Sequence, residues 1–121
     1  VSFPVLICDD SSLARRNVQR SLPQGFSDLV LEATNGAEAM SILEQQPIAL
    51  LLLDLTMPVM DGVEVLEAIR ARKLEVFVIV ISGDIQPMMQ QKVKALGALD
   101  FIKKPVDADK LKRVLEHFGL Y

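Results

Sequence analysis

At 121 residues, half of them hydrophobic, with a mean hydropathy of +0.31, the chain has the length and apolar content for one two-sided core. A net charge of -3 and a pI near 5.1 argue against a nucleic-acid-binding surface, and no apolar stretch approaches a membrane span. A single cysteine, Cys8, excludes an internal disulfide and fits a reducing cytosol, so a cytoplasmic protein is expected.

Apolar runs and helical patterns alternate five times with no low-complexity linker between them. The first predicted strand, residues 4–9, carries Cys8 as a small buried hydrophobe and ends in the pair Asp9-Asp10. Ser11 and Ser12 suit the start of a helix with Ala14, Val18 and Leu22 on one face. A loop over residues 23–28 leads to a short strand, residues 29–33. Asn35-Gly36 then turns the chain into a helix over residues 37–46, stopped by Pro47. The third strand, residues 49–54, is a run of leucines that stops at Asp54. Such a continuous apolar run marks a strand buried on both faces of a parallel sheet. Pro58 forbids its simple continuation, and Asp61-Gly62 supplies turn residues.

The next helix sends Val65, Leu66 and Ile69 inward and Glu64, Glu67 and Arg70 outward. A strand over residues 76–81, β-branched almost throughout, ends at Ser82-Gly83-Asp84. Pro87 opens a helix whose inward face is Met89, Val93 and Leu96, and Gly97 caps it. A fifth strand, residues 98–102, is closed by Lys103-Lys104-Pro105. A last helix over residues 107–118 has Leu111, Val114, Leu115 and Phe118 at core spacing.

Five strand-helix units imply a parallel sheet with right-handed crossovers, and an eight-unit barrel needs about twice this length. A doubly wound open sheet remains, with its chemistry at the carboxyl ends of the strands. Those ends carry Asp9 and Asp10, Asp54, Ser82 and Lys104. If the strands run 2-1-3-4-5, three carboxylates meet beside one crevice, with a hydroxyl and a cation on its far side. Like charges about 5 Å apart repel by roughly 3 kcal/mol at an effective dielectric of 20, so the cluster wants a hard divalent cation. Mg2+ suits it. Lys104 and Ser82 can then bind phosphoryl oxygens, and a carboxylate can itself be the nucleophile, giving an aspartyl-phosphate.

Asp9-Asp10, Asp54 followed by Met57-Pro58 and Met60-Asp61-Gly62, Ser82, and Lys104-Pro105 resemble the receiver domain of two-component response regulators in order, type and spacing. The resemblance covers essentially the whole chain, residues 1–121. It implies an α/β, flavodoxin-like fold, a doubly wound five-stranded parallel sheet with five helices in the 2-1-3-4-5 order of the family's chemotaxis member. It also implies that Asp54 is the phosphoacceptor, charged from a phosphohistidine on a histidine kinase or phosphotransfer protein. Asp10 and Asp54 would bind Mg2+ through their side chains, Asp9 mostly through water, and Thr56 through its backbone carbonyl. Lys104 would pair with the phosphoryl group, with a cis bond to Pro105, and strand alternation sends Lys103 the other way. Ser82 would hydrogen-bond the phosphoryl oxygen, with Phe101 as the aromatic switch. Ser82, Gly83 and Phe101 stand where threonine, alanine and tyrosine are frequent in the family. Serine keeps the hydroxyl, whereas Phe101 lacks the phenolic one and also reads as a plain core-rim aromatic. Thr56 and Asp84 flank the path of an attacking water and are expected to set the phosphoryl lifetime. His117 is assigned no role.

The resemblance implies a signalling module limited to its own phosphorylation and dephosphorylation, not an enzyme. A magnesium-dependent phosphatase needs a second acid two residues after the nucleophile, where Thr56 stands. A dinucleotide binder needs a glycine-rich turn where the chain has Asp-Asp-Ser-Ser. A degenerate receiver would lack an acid or the lysine, and none is missing. The fourth helix, fifth strand and fifth helix form the expected switching surface, where Met88, Lys92 and Ala95 are candidate contacts for a target or a phosphorylation-dependent dimer. Neither direct nucleic-acid binding nor membrane contact is expected. A single-domain regulator and a receiver cut from a longer protein with an output domain both fit.

Overall fold

The computed structural model describes residues 3–83 and 86–121, and among them five strands alternate with five helices. In chain order these are β1 (Val5–Cys8), α1 (Ser12–Ser21), β2 (Val30–Ala33), α2 (Gly36–Gln45) and β3 (Leu50–Leu53). There follow α3 (Gly62–Ala71), β4 (Phe77–Ser82), α4 (Pro87–Ala95), β5 (Asp100–Lys103) and α5 (Ala108–His117). The strands form one parallel sheet in the order β2-β1-β3-β4-β5, as the resemblance implied.

Strand alternation divides the core in two. Leu6, Cys8, Leu51, Leu53, Val78 and Val80 face α2, α3 and α4, where Ala39, Met40, Val65, Leu66 and Val93 meet them. Val5, Ile7, Leu50, Leu52, Ile79, Ile81 and Ile102 face α1 and α5, packing on Val18, Leu111 and Leu115. The four leucines of β3 are therefore buried two to each side, which is why the strand reads as an unbroken apolar run. Each fully buried leucine contributes about 1.5–3 kcal/mol relative to exposure.

Helix starts are secured by side chains that accept a backbone N–H three residues on: Ser11, Asn35, Asp61 and Asp107. Asp61 and Glu64 close a full capping box, so Asp61 caps a helix as well as ending a turn. Helix α4 has Pro87 in its first turn but no side-chain cap bond. The first strand stops at Cys8 because Asp9 turns its carbonyl toward Arg15 and its carboxylate toward the Ser11 N–H. The fifth begins at Asp100, two residues later than its apolar pattern. The Ala98 N–H is drawn back to the Val93 carbonyl to finish α4.

Two glycines bind the loop after β3 to the rest of the domain. The Gly62 N–H donates to the Leu55 carbonyl at 3.0 Å, and a Cβ at Gly62 would lie 2.3 Å from the Asp54 carbonyl oxygen. The Gly36 N–H donates to the Met60 carbonyl at 3.0 Å, where a Cβ would lie 2.4 Å from that oxygen. Neither neighbour is a flexible side-chain end, so the backbone itself must move. Gly62→Ala is expected to cost about 1–3 kcal/mol in urea unfolding. Gly83→Ala, where no described atom lies within 4 Å of the added carbon, should stay within about 0.5 kcal/mol. Equal stabilities for the two variants would contradict this account of the loop.

Candidate functional site

Register brings the acids together. Cys8 pairs with Ala33 on one side and Leu53 on the other, so Asp9 and Asp54 leave the sheet in step. The Asp54 N–H donates to the Cys8 carbonyl at 2.9 Å and the Asp9 N–H to the Ala33 carbonyl at 3.1 Å. Carboxylate oxygens of Asp9, Asp10 and Asp54 all lie within 4.8 Å of one another, with Asp9 and Asp54 buried and Asp10 exposed. Lys104 follows β5 and is tied to β4 by its N–H, which donates to the Ser82 carbonyl at 2.9 Å. Its Nζ donates to Asp9 Oδ2 at 2.7 Å and stands 3.6 Å from Asp54 Oδ1. Lys104-Pro105 is cis, and Lys103 is exposed on the other side.

Burial first, and the charge of Asp9 second, raise the Asp54 carboxyl above its ordinary value. Lys104 and the backbone N–H groups of Leu55 and Thr56 pull it back only in part. Burial works against the Lys104 ammonium, but its hydrogen bond to Asp9 and the charges of Asp54 and Asp9 outweigh it and raise its pKa. The Cys8 thiol is pushed up to about 12, by burial and then by its acidic neighbours, and stays protonated. Its sulfur lies 3.4 Å from both the Asn35 carbonyl and Met57 Sδ. The cluster thus offers hard oxygen donors, with one exposed acid where water can complete coordination. That donor set fits Mg2+.

Ser82 is buried at the end of β4, and half-buried Phe101 packs against the α2–α4 side of the core. Lys94 Nζ lies 5.1 Å from the Phe101 ring centroid. Thr56 is exposed on the loop beyond Asp54. Asp84 lies outside the described residues. His117 is exposed, edge-on to Phe118. Arg15, unassigned from sequence, donates through Nη1 to the Asp9 carbonyl at 2.8 Å. No local motif marks it, because its partner Glu32 is distant in sequence.

Three acids, a lysine and a buried hydroxyl at the strand ends of a doubly wound sheet define a phosphoryl-accepting domain. The family model for the response regulator receiver domain matches residues 5–116. Chemotaxis protein CheY of Listeria monocytogenes is 36% identical over 112 residues, covering 93% of this chain and 94% of that protein. CheY of Bacillus subtilis is also 36% identical, over 93% of this chain and 91% of its own. Among solved structures, the CheX-CheY-BeF3-Mg2+ complex from Borrelia burgdorferi matches with a TM-score of 0.88 at 32% identity, over 96% of this chain and 89% of that one. The receiver domain of AraT, a response regulator from Geobacillus stearothermophilus, gives 0.84 at 29% identity, over 98% and 97%. The chain belongs to the receiver domain family of two-component response regulators. It is a phosphorelay signalling module whose chemistry is confined to its own phosphorylation and dephosphorylation. No described helix is long and apolar enough to cross a membrane.

Because the folded pKa of Asp54 is raised, the folded state holds its proton more tightly than the unfolded chain does. Stability on this account falls as pH rises from the ordinary carboxylate value through the folded one. In chelator at neutral pH, Asp54→Asn should therefore melt several degrees above the parent, with the gap closing as the pH is lowered toward 4. An Asn variant that melts below the parent at neutral pH would contradict the charge crowding.

Proposed function

We propose that residues 1–121 form a cytoplasmic receiver in which Asp54 takes a phosphoryl group from a phosphohistidine of a histidine kinase or phosphotransfer protein. One observation carries the reading: a buried Asp54 carboxylate within 4.8 Å of two further acids and 3.6 Å from a lysine ammonium. An Asp54 oxygen attacks phosphorus, the phosphorus–nitrogen bond breaks, and its electron pair returns to the imidazole, which takes up a proton. Asp10 and Asp54 would hold Mg2+ through their carboxylates, Asp9 through water and Thr56 through its backbone carbonyl. Bound Mg2+ supplies the positive charge that the acids and the phosphoryl oxygens need. The BeF3 and Mg2+ of the Borrelia complex support the same chemistry here. Lys104 exchanges Asp9 for a phosphoryl oxygen.

The donor needs a surface beside Lys104. A cavity of about 290 Å³ is lined there by Leu13, Val18, Ile81, Lys104, Pro105 and Val106, and Leu13 is 63% exposed. We assign it to the phosphohistidine protein. On the other side of the sheet, Ser82 turns its hydroxyl to the new phosphoryl group and Phe101 rotates inward, remodelling α4, β5 and α5. The target, or a second copy of the chain, then meets the face carrying Met88, which is 83% exposed, with Lys92 and Ala95. Thr56 borders the water path and sets the lifetime of the phosphorylated state.

With acetyl phosphate and Mg2+, intact mass should rise by one phosphoryl group that is labile in base, and Asp54→Asn should abolish it. Parent-level label on Asp54→Asn would refute the assignment. Leu13→Asp should slow transfer from a phosphorylated histidine protein about tenfold while leaving acetyl phosphate labelling at the parent rate. Equal loss with both donors would place Leu13 in the chemistry instead of the docking surface.

A further inference from the structure

Arg15 is more covered than Lys104, with its side chain 14% exposed against 29%. Its planar fork spans three elements. From α1, Nε donates to Glu32 Oε1 on β2 at 2.8 Å, and Nη1 donates to the Asp9 carbonyl beyond β1 at 2.8 Å. That carbonyl shares one rigid peptide plane with the nitrogen and Cα of Asp10. Fixing it therefore fixes the point from which the Asp10 side chain leaves. The other groups of Asp9 are held as well: its N–H by Ala33, Oδ1 by the Ser11 N–H and Oδ2 by Lys104. Asp10 is exposed and, among the described residues, has no such set of restraints of its own, so its placement depends on that peptide.

We infer that Arg15, held by Glu32, is a positioning residue for the cation site, setting the separation of Asp10 from Asp9 and Asp54. The inference rests on reading those three acids as the Mg2+ site. Charge and geometry pull in opposite directions here, which makes the idea testable. A guanidinium beside three acids repels a dication, so removing its charge alone should tighten Mg2+ binding. Removing its bond to the Asp9-Asp10 peptide should loosen it. Glu32, at 2.8 Å, offsets the charge, so positioning decides.

The test is calorimetric titration of Mg2+ into folded, metal-free protein, with folding of each variant checked by circular dichroism. Arg15→Met should raise the Mg2+ dissociation constant about tenfold, the lower range for groups that orient metal ligands. Arg15→Lys should recover part of the loss, because its ammonium can still donate to the Asp9 carbonyl but cannot span both partners as the fork does. Glu32→Gln should also weaken binding, since it releases the fork and bares its charge. Amide hydrogen exchange at Asp10 and Ser11 should quicken in the metal-free Arg15 variants. Mg2+ affinity in Arg15→Met equal to or above the parent's would overturn the inference. Should that variant not fold, parent-like affinity in both Arg15→Lys and Glu32→Gln would overturn it equally. A parent protein that binds no Mg2+ would overturn the cation-site reading beneath it, a result distinguishable from either.

Discussion

Lys104 donates to Asp9 at 2.7 Å and stands 3.6 Å from Asp54, and the strand ends are built around those two contacts. Burial, and then the neighbouring Asp9 charge, make the Asp54 carboxylate costly to ionise. One ammonium offsets part of that cost, and the raised pKa of Asp54 records the part left over. The centre is therefore short of positive charge, a condition that a hard dication relieves and a phosphoryl group then exploits. Strand parity makes the arrangement inevitable once the order is set. Asp9, Asp54 and Lys104 continue the alternation of Ile7, Leu52 and Ile102, so all three follow residues on the α1 and α5 side.

The same parity puts the acids and Phe101 on opposite sides of the sheet. Phe101 precedes Lys104 by three residues and packs on the opposite side of the sheet, toward α4. The Lys104 N–H is bonded to the Ser82 carbonyl, so displacement at either residue is felt by both strand ends. Among the described residues, Val93 is the one buried residue of helix α4 and no side chain caps its start. At its far end Arg70 Nη1 donates to the Ala95 carbonyl at 2.6 Å, and Lys94 lies over Phe101. An element with little buried area, held by a few polar contacts, is one that a local charge change can move.

Most of this was legible because it lies in strand ends. The leucines of β3, the acids that close β1 and β3, and the lysine before Pro105 announce themselves by composition and position. Strand order did not follow from pattern alone and entered through resemblance. Other features were hidden for physical reasons. Gly36 and Gly62 look like ordinary turn residues until the carbonyls of Met60 and Asp54 are seen against them. Arg15 reads as a solvated helix charge, because Glu32 reaches it only after β1 and β2 pair. The capping box of Asp61 and Glu64 is readable at its spacing of three, although Asp61-Gly62 equally reads as a turn.

The central claim is that charge introduced at Asp54 is answered on the far side of the sheet. Backbone amide spectra recorded with Mg2+, before and after addition of beryllofluoride as a phosphoryl mimic, test it directly. The account predicts shifts at Ser82 and Phe101 and along residues 87–95, in addition to those around Asp9 and Asp54. Shifts confined to the loops around Asp54, with residues 87–104 unmoved, would contradict it and leave the chain a carrier of phosphate without a conformational response.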